Sequence, residues 1–265
     1  MTQDGGHRFA TAAGAMLADP ASLGNAAGVG AAGLILSENL FEPAFWAARG
    51  ELVEVSRGRG SAWFIAAAPD QWALRHYRRG GLIGRVIEDR YLWTGEARVR
   101  AFAEWRLLVA LSRLSLPVPK PIAARYQRRG LLYRCDLITR RIPGAVPLSE
   151  RLARGVVRES TWREIGATVA RLHAAGVDHA DLNAHNILLD EADGVSVIDF
   201  DRGRLRPMEA RVARGSGAAP QSWALGNIAR LRRSLDKIGR EQPTARDGAR
   251  AWRWFRDGYE SAARL

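Results

Sequence analysis

Cysteine and lysine are almost missing from this chain. A single cysteine, Cys135, permits no internal disulfide, in keeping with a reducing compartment. Only Lys120 and Lys237 are lysines, so subtracting these two from the 40 basic residues leaves 38 arginines. Chemistry that ordinarily uses a lysine therefore has to use arginine. Long apolar runs are missing too: the longest candidate, AAGVGAAGLIL at 26–36, is about half of a membrane-spanning segment. The opening MTQDGGHRF has neither the basic region nor the apolar core of a secretory signal, so a cytoplasmic location is expected. His173, His179 and His185 recur at intervals of six, which suits neither a helical zinc face nor a looped ligand box. No zinc-finger, RNP-like or helix-turn-helix signature accompanies the basic charge, and no nucleic-acid partner is expected.

What is present is a globular composition with a strong charge bias. The chain has 265 residues, 47% of them hydrophobic, enough for one large core or two modest ones joined by a hinge. A net charge of +12 favours phosphate-rich partners such as nucleotides or anionic headgroups. The first 40 or so residues are rich in Ala and Gly without a sustained period and read as an extension. Their GVGAAG, at Gly28, Gly30 and Gly33, matches a dinucleotide-binding pattern by chance, since no strand precedes it and no helical pattern opens from it.

From Glu51 the pattern changes to short strands, ELVEV, SAWFIAAA and QWALRHY, which predict an antiparallel meander. A helix is predicted from about Arg98 to Leu114, with Val99, Phe102, Leu107, Leu111 and Leu114 near one side. LPVPKP ends it, and two strands follow at PIAARY and LLYRCDLIT, making five strands and one helix. The second half turns helical. Thr161 to Glu164 fits a capping box, Trp162, Ile165, Val169 and Leu172 share a face, and Gly176 stops the helix. NILLD and VSVIDF predict a hairpin around EADG, and two amphipathic helices, Trp223 to Ile238 and about Ala249 to Ala263, close the chain.

The polar residues of HADLNAHNILLD, 179–190, and of the following VIDFD define the candidate site. An Asp in a loop before a strand can serve as a base or a metal ligand, and an Asn five residues on can offer a neutral oxygen. The hairpin returns Asp199 near that Asn. Asp181, Asn186 and Asp199 thus supply hard oxygen ligands suited to magnesium. Singly, each is an ordinary loop, turn or strand-end residue. Together, H-x-D-x-x-x-x-N, an apolar strand, a turn and I-D-F stand in the order that phosphoryl transfer requires.

With LRHYRRGG at 74–81, DRYLWTG at 89–95, LPVPKPIAAR at 116–125 and IDFDRG at 198–203, the sequence resembles the protein-kinase-like superfamily, and more closely its lipopolysaccharide kinases of the Kdo kinase branch. The resemblance extends from about residue 58 to 235. It implies an α+β, bilobal protein-kinase-like fold: residues 1–45 as the Ala/Gly-rich extension, 46–138 as a small antiparallel β-rich N-lobe and 139–265 as a mainly helical C-lobe. It also implies ATP and Mg2+ as cofactors and phosphorylation of a Kdo sugar hydroxyl on a lipid-linked acceptor, Kdo-lipid IVA.

By the same resemblance Asp181 accepts or orients the hydroxyl proton, Asn186 and Asp199 hold magnesium, and His179 braces the loop. Gly58 and Gly60 let a hairpin close over the phosphates, although Trp63 stands where a third glycine is expected. The usual strand lysine is replaced by Arg75, which takes the phosphate role, with Glu104 as its partner. Asp201 replaces the glycine of the usual D-F-G, as a metal or substrate contact or to hold the loop. A peripheral position on the anionic inner membrane, cytoplasmic side, accords with the basic charge. Arg78, Arg79, Arg85, Arg90, Arg202, Arg204 and Arg206 are the candidate contacts, with Trp46 and Trp93 either at the interface or, as is commoner for Trp, packed in the core. The alternatives are another small-molecule kinase of the superfamily and a non-catalytic pseudokinase module.

Overall fold

The computed structural model describes residues 6–24, 37–55, 62–67, 69–78, 89–155, 157–206, 222–241 and 248–264. These fall into two units: Met1–Ala110 with Pro119–Arg141, and Leu111–Val118 with Ile142–Leu265.

The first unit is built on an antiparallel sheet of eight strands. They are β1 (His7–Thr11), β2 (Gly14–Ala18), β3 (Leu52–Val55), β4 (Ala62–Ala67), β5 (Asp70–His76), β6 (Tyr91–Leu92), β7 (Pro121–Arg129) and β8 (Leu132–Arg140). Their order is β1-β2-β7-β8-β5-β4-β3, with β6 added to β8. The predicted meander is β3-β4-β5, and the two later strands are β7 and β8. The helices are α1 (Pro20–Gly24), α2 (Pro43–Ala48) and α3 (Arg100–Arg113), the last running on into the second unit.

Five strands were expected here, and β1, β2 and β6 are additional. Residues 7–18 are therefore part of the sheet and not an extension. Their alanines conceal a strand signal because the site demands small residues: a Cβ on Gly14 would lie 2.2 Å from the Tyr126 carbonyl oxygen. Ala15 and Ala18 are fully buried against the same part of the sheet. Gly28, Gly30 and Gly33 lie outside the described residues.

Period-2 alternation turns Ile65, Trp72, Leu74 and Ile138 into one core with Leu40, Phe41 and Trp46. Trp46, a candidate for the membrane interface by sequence although burial is the commoner fate of Trp, is sealed in this core. Its Nε1 donates to the Leu40 carbonyl oxygen at 2.9 Å, and its ring meets Trp72 edge-on at 5.9 Å. Phe102, Trp105, Leu108 and Leu111 are buried along α3, whereas Leu114 is 54% exposed. The helix ends at Arg113 and Ser115 adopts φ +54°, which turns Leu114 away from the buried face.

The second unit contains β9 (Val146–Pro147), α4 (Leu148–Arg154), α5 (Glu159–Ala174), β10 (Val177–Asp178), β11 (Ile187–Leu189), β12 (Val195–Val197), β13 (Arg204–Leu205), α6 (Ser222–Glu241) and α7 (Gly248–Ala263). As expected, Trp162, Ile165, Val169 and Leu172 are buried on α5, and Gly176 ends it at φ +84°. The expected capping box is absent. α5 begins at Glu159, and Thr161 Oγ1 donates to Asp193 at 3.0 Å, an acid that also takes Arg151 at 2.5 Å and Arg158. That charged knot at the β11–β12 turn outcompetes a local cap.

α5 and α7 approach backbone to backbone. A Cβ on Gly166 would lie 2.0 Å from the Phe255 carbonyl oxygen, and one on Gly258 would lie 2.0 Å from that of Arg163. No helix among the described residues is long and apolar enough to cross a membrane.

Candidate active site

The loop from His179 to Asn186 leaves β10 and enters β11, and its shape follows from side chains that bond back to its own backbone. His179 is 2% exposed. Its Nε2 donates to the Ile198 carbonyl oxygen at 3.0 Å and its Nδ1 accepts the Asp181 N–H at 3.2 Å. One nitrogen donating and the other accepting describes a neutral ring, and burial pushes the imidazole below its usual 6.5. Phe200 lies against the ring at 4.8 Å.

Asn186 Nδ2 donates to the Asp181 carbonyl oxygen at 2.9 Å, as does Asn183 Nδ2 at 3.0 Å. The Asn186 Nδ2 is thus committed within the loop, leaving Oδ1 as the neutral hard donor of that side chain.

β11 and β12 pair antiparallel with Ile187 opposite Val197, and the Ile198 N–H donates to the Asn186 carbonyl oxygen at 2.9 Å. This register brings Asn186 beside the segment carrying Asp199. Asp199 and Arg202 both lie in the left-handed region, at φ +63° and +60°. Asp tolerates that conformation better than most residues, though at a cost of order 1 kcal/mol. The turn closes with the Gly203 N–H donating to the Phe200 carbonyl oxygen at 2.8 Å, and Asp201 sits on it half-buried.

Three supports of this loop were not legible in the sequence. Asn227 on α6 accepts the His179 N–H at 2.8 Å and donates to Asp178 at 3.1 Å. Ser234, two turns further on, accepts the Ala184 N–H at 3.2 Å. Asp178 also takes the Arg206 guanidinium at 2.6 Å, so that arginine, a candidate membrane contact by sequence, is committed to the β10–β13 pair. A polar residue on an amphipathic helix gives no sign of which loop it holds.

In the first unit, Arg75 on β5 forms an ion pair with Glu104 on α3, a residue only 3% exposed. The Tyr77 hydroxyl accepts from Arg75 at 2.9 Å and donates to the same Glu104 carboxylate. The guanidinium also lies 4.7 Å from the Tyr77 ring centroid. Burial drives the Tyr77 phenol well above its usual range, so it stays a neutral donor. Gly58 and Gly60 lie outside the described residues, as do Arg79 and Arg85.

The neighbouring His76 ties two quoted motifs together: its Nδ1 is 2.6 Å from Asp136 and its Nε2 is 3.5 Å from Asp89. Asp136 in turn holds Arg125 at 2.8 Å, and Arg125 reaches Glu42 at 2.8 Å. The hydrogen bond to Asp136 raises the His76 pKa above 6.5. Cys135 is buried and its thiol pushed up to about 12, so it is inert.

Among the described residues, no three His, Cys, Asp or Glu side chains converge as a metal cluster. The donor set at the loop is an amide oxygen and a carboxylate, which fits a hard cation completed by water and phosphate oxygens, not a closed protein cage.

Residues 43–259 match the model of the lipopolysaccharide kinase (Kdo/WaaP) family. The chain is 44% identical over 224 residues to the 3-deoxy-D-manno-octulosonic acid kinase of Stenotrophomonas maltophilia (strain K279a), covering 84% of each chain. It is 40% identical over 195 residues to the enzyme of that name from Vibrio cholerae serotype O1 (strain ATCC 39315 / El Tor Inaba N16961), covering 74% of this chain and 78% of the relative. Among solved structures, WaaP in complex with acyl carrier protein is similar at TM-score 0.46 and 18% identity, over 85% of this chain and 95% of that one. The ordered loop from His179 to Asn186 lies within the matched span, and the chain belongs to the lipopolysaccharide kinase (Kdo/WaaP) family.

Proposed function

We propose that this protein transfers the γ-phosphoryl group of ATP to a hydroxyl of a Kdo sugar on a lipid A precursor, Kdo-lipid IVA, in inner-core lipopolysaccharide synthesis. The observation that carries the reading is the loop in which His179, Asn183 and Asn186 fix the backbone around Asp181. In the reaction the sugar oxygen bonds to the γ-phosphorus, the bond to the β,γ-bridging oxygen breaks, ADP leaves, and the hydroxyl proton passes to Asp181. Asn186 and Asp199 would hold magnesium, which when bound neutralises the phosphate charge. Arg75, oriented by Glu104 and Tyr77, takes the phosphate contact that a lysine makes in other kinases, and its planar fork suits two oxygens at once. Gly58 and Gly60 are assigned by the family resemblance to covering the phosphates, and Asp201 to the turn beyond the proposed metal ligands.

The acceptor is membrane-borne, so the protein is assigned to the cytoplasmic face of the inner membrane, held peripherally by its excess of arginine. The reading is tested by ADP release from magnesium ATP with Kdo-lipid IVA, with aminoglycosides and choline as competing acceptors. ADP release that depends on Kdo-lipid IVA alone is expected; equal release with the other acceptors would overturn the assignment.

A further inference from the structure

The tip of the β7–β8 hairpin combines arginine and exposed leucine in a way the fold does not require. Arg129 pairs with Leu132, leaving Gly130 and Leu131 as a two-residue turn with Gly130 at φ +60°. A positive φ confined to the first central residue is the type II′ arrangement, whose second position ordinarily takes Asn, Asp or Ser. Here it holds Leu131, 73% exposed. β6 pairs alongside, with Leu92 opposite Leu132 and the Trp93 N–H donating to the Leu131 carbonyl oxygen at 2.8 Å. Leu92 is 58% exposed as well.

Around these two leucines stand Arg90, Arg128, Arg129 and Arg134, with Asp89 as the carboxylate in contact, 3.1 Å from Arg134. Arg90, Arg129 and Arg134 line a small cleft with Gln127, Leu132 and Tyr133. Beneath them the surface is stiff: Trp93 packs on Tyr126 at 5.1 Å and under the Arg128 guanidinium at 4.8 Å. Arg90, at 3.9 Å, shares the one Asp89 carboxylate with Arg134, so the four arginines keep a net positive charge. Exposed leucine beside that excess on a rigid base is complementary to an interface with negative phosphates at its surface and acyl chains just below.

We infer that this hairpin tip, with β6, is where the protein docks on an anionic lipid bilayer, Arg90, Arg129 and Arg134 taking lipid phosphates and Leu131 and Leu92 entering the acyl boundary. The assignment rests on the reading of the acceptor as lipid-borne, and it places the contact on residues that were not, Arg90 apart, expected from the sequence. The test is co-sedimentation of the full chain with phosphatidylcholine vesicles, with and without phosphatidylglycerol, comparing the parent with Leu131→Ser, Leu92→Thr and the pair Arg90→Ser with Arg129→Ser. Ser suits the turn and Thr suits a strand, so both variants keep the fold, and thermal melting checks that they do.

Binding of the parent to the phosphatidylglycerol vesicles is expected, falling about fivefold for each arginine removed and about tenfold for Leu131→Ser. Parent-level binding by the variants, equal binding to phosphatidylcholine alone, or no binding by the parent would each overturn the inference; the last would turn the patch toward an acidic protein. ADP release on Kdo-lipid IVA dispersed in neutral detergent is measured in parallel. Its loss in the parent would overturn the kinase reading alone, whereas parent activity with vesicle binding unchanged in the variants would overturn the docking surface alone.

Discussion

Asp181 occupies a loop whose hydrogen bonds run to its backbone and not to the side chain proposed as base: His179 takes its N–H, and two asparagine amides take its carbonyl. Asp181→Asn should therefore leave the loop standing while removing the base. Turnover is expected to fall about 100- to 10,000-fold, with nucleotide affinity and melting temperature close to the parent's, as measured by single-turnover phosphate transfer and calorimetry. Arg75 is different, because Glu104 is buried and depends on it. Arg75→Met should cost about 2 kcal/mol of stability, since it leaves a buried carboxylate with Tyr77 as a remaining donor. The same variant should raise the KM for ATP about tenfold, whereas Arg75→Lys should recover stability better than KM because the bidentate fork is lost. Urea titration and initial rates check both. The placement of Asp181 and Asn186 in one loop, with Asp199 just past the returning strand, was legible in the sequence because the hairpin fixes their spacing. Asn227 and Ser234 were not, because a helix brings them to the loop from nearly 50 residues away.

At the scale of elements, the α5–α7 contact is the tightest constraint in the second unit. Gly166 and Gly258 each meet the other helix's carbonyl oxygen where a methyl group would overlap backbone that cannot turn aside. Gly258→Ala should cost roughly 3 kcal/mol, because the helices must separate. A helix propensity argument alone would give the opposite sign. Chemical denaturation of the variant decides between the two. Elements with a clear period were readable in advance: β3 to β5, α3, α5, the β11–β12 hairpin and the two closing helices. β1 and β2 were not, since close backbone approach selected alanine and glycine over the β-branched residues that announce a strand. The capping box failed for a related reason, a local pattern at Thr161 overridden by the long-range acid Asp193.

For the whole molecule, buried histidines contribute to the loss of stability on the acid side, beside the paired carboxylates Glu96, Asp178 and Asp193, whose pKa values are lowered. Burial depresses the pKa of His173 to about 4, and that of His179 in the same direction. Each therefore takes its proton first in the unfolded chain, so the stability present above about pH 6.5 is lost as pH falls toward their folded values. His173 alone accounts for roughly 3 kcal/mol across that window. His76 acts oppositely: its raised pKa gives stability that is complete below about 6.5 and is lost as pH rises through the folded value. Denaturation midpoints measured from pH 4 to 8 should fall on the acid side, and His173→Gln should flatten that limb; an unchanged slope would remove His173 from the explanation. The basic balance of the chain was plain from composition, but where that charge meets exposed leucine required the turn geometry of the β7–β8 hairpin. The central claim is the phosphorylation itself. Mass spectrometry of Kdo-lipid IVA after incubation with the protein and magnesium ATP tests it most directly, with Asp181→Asn alongside. One added phosphate on the Kdo sugar with the parent and none with the variant is the expected result; an acceptor of unchanged mass with the parent, or the same gain with the variant, would contradict it.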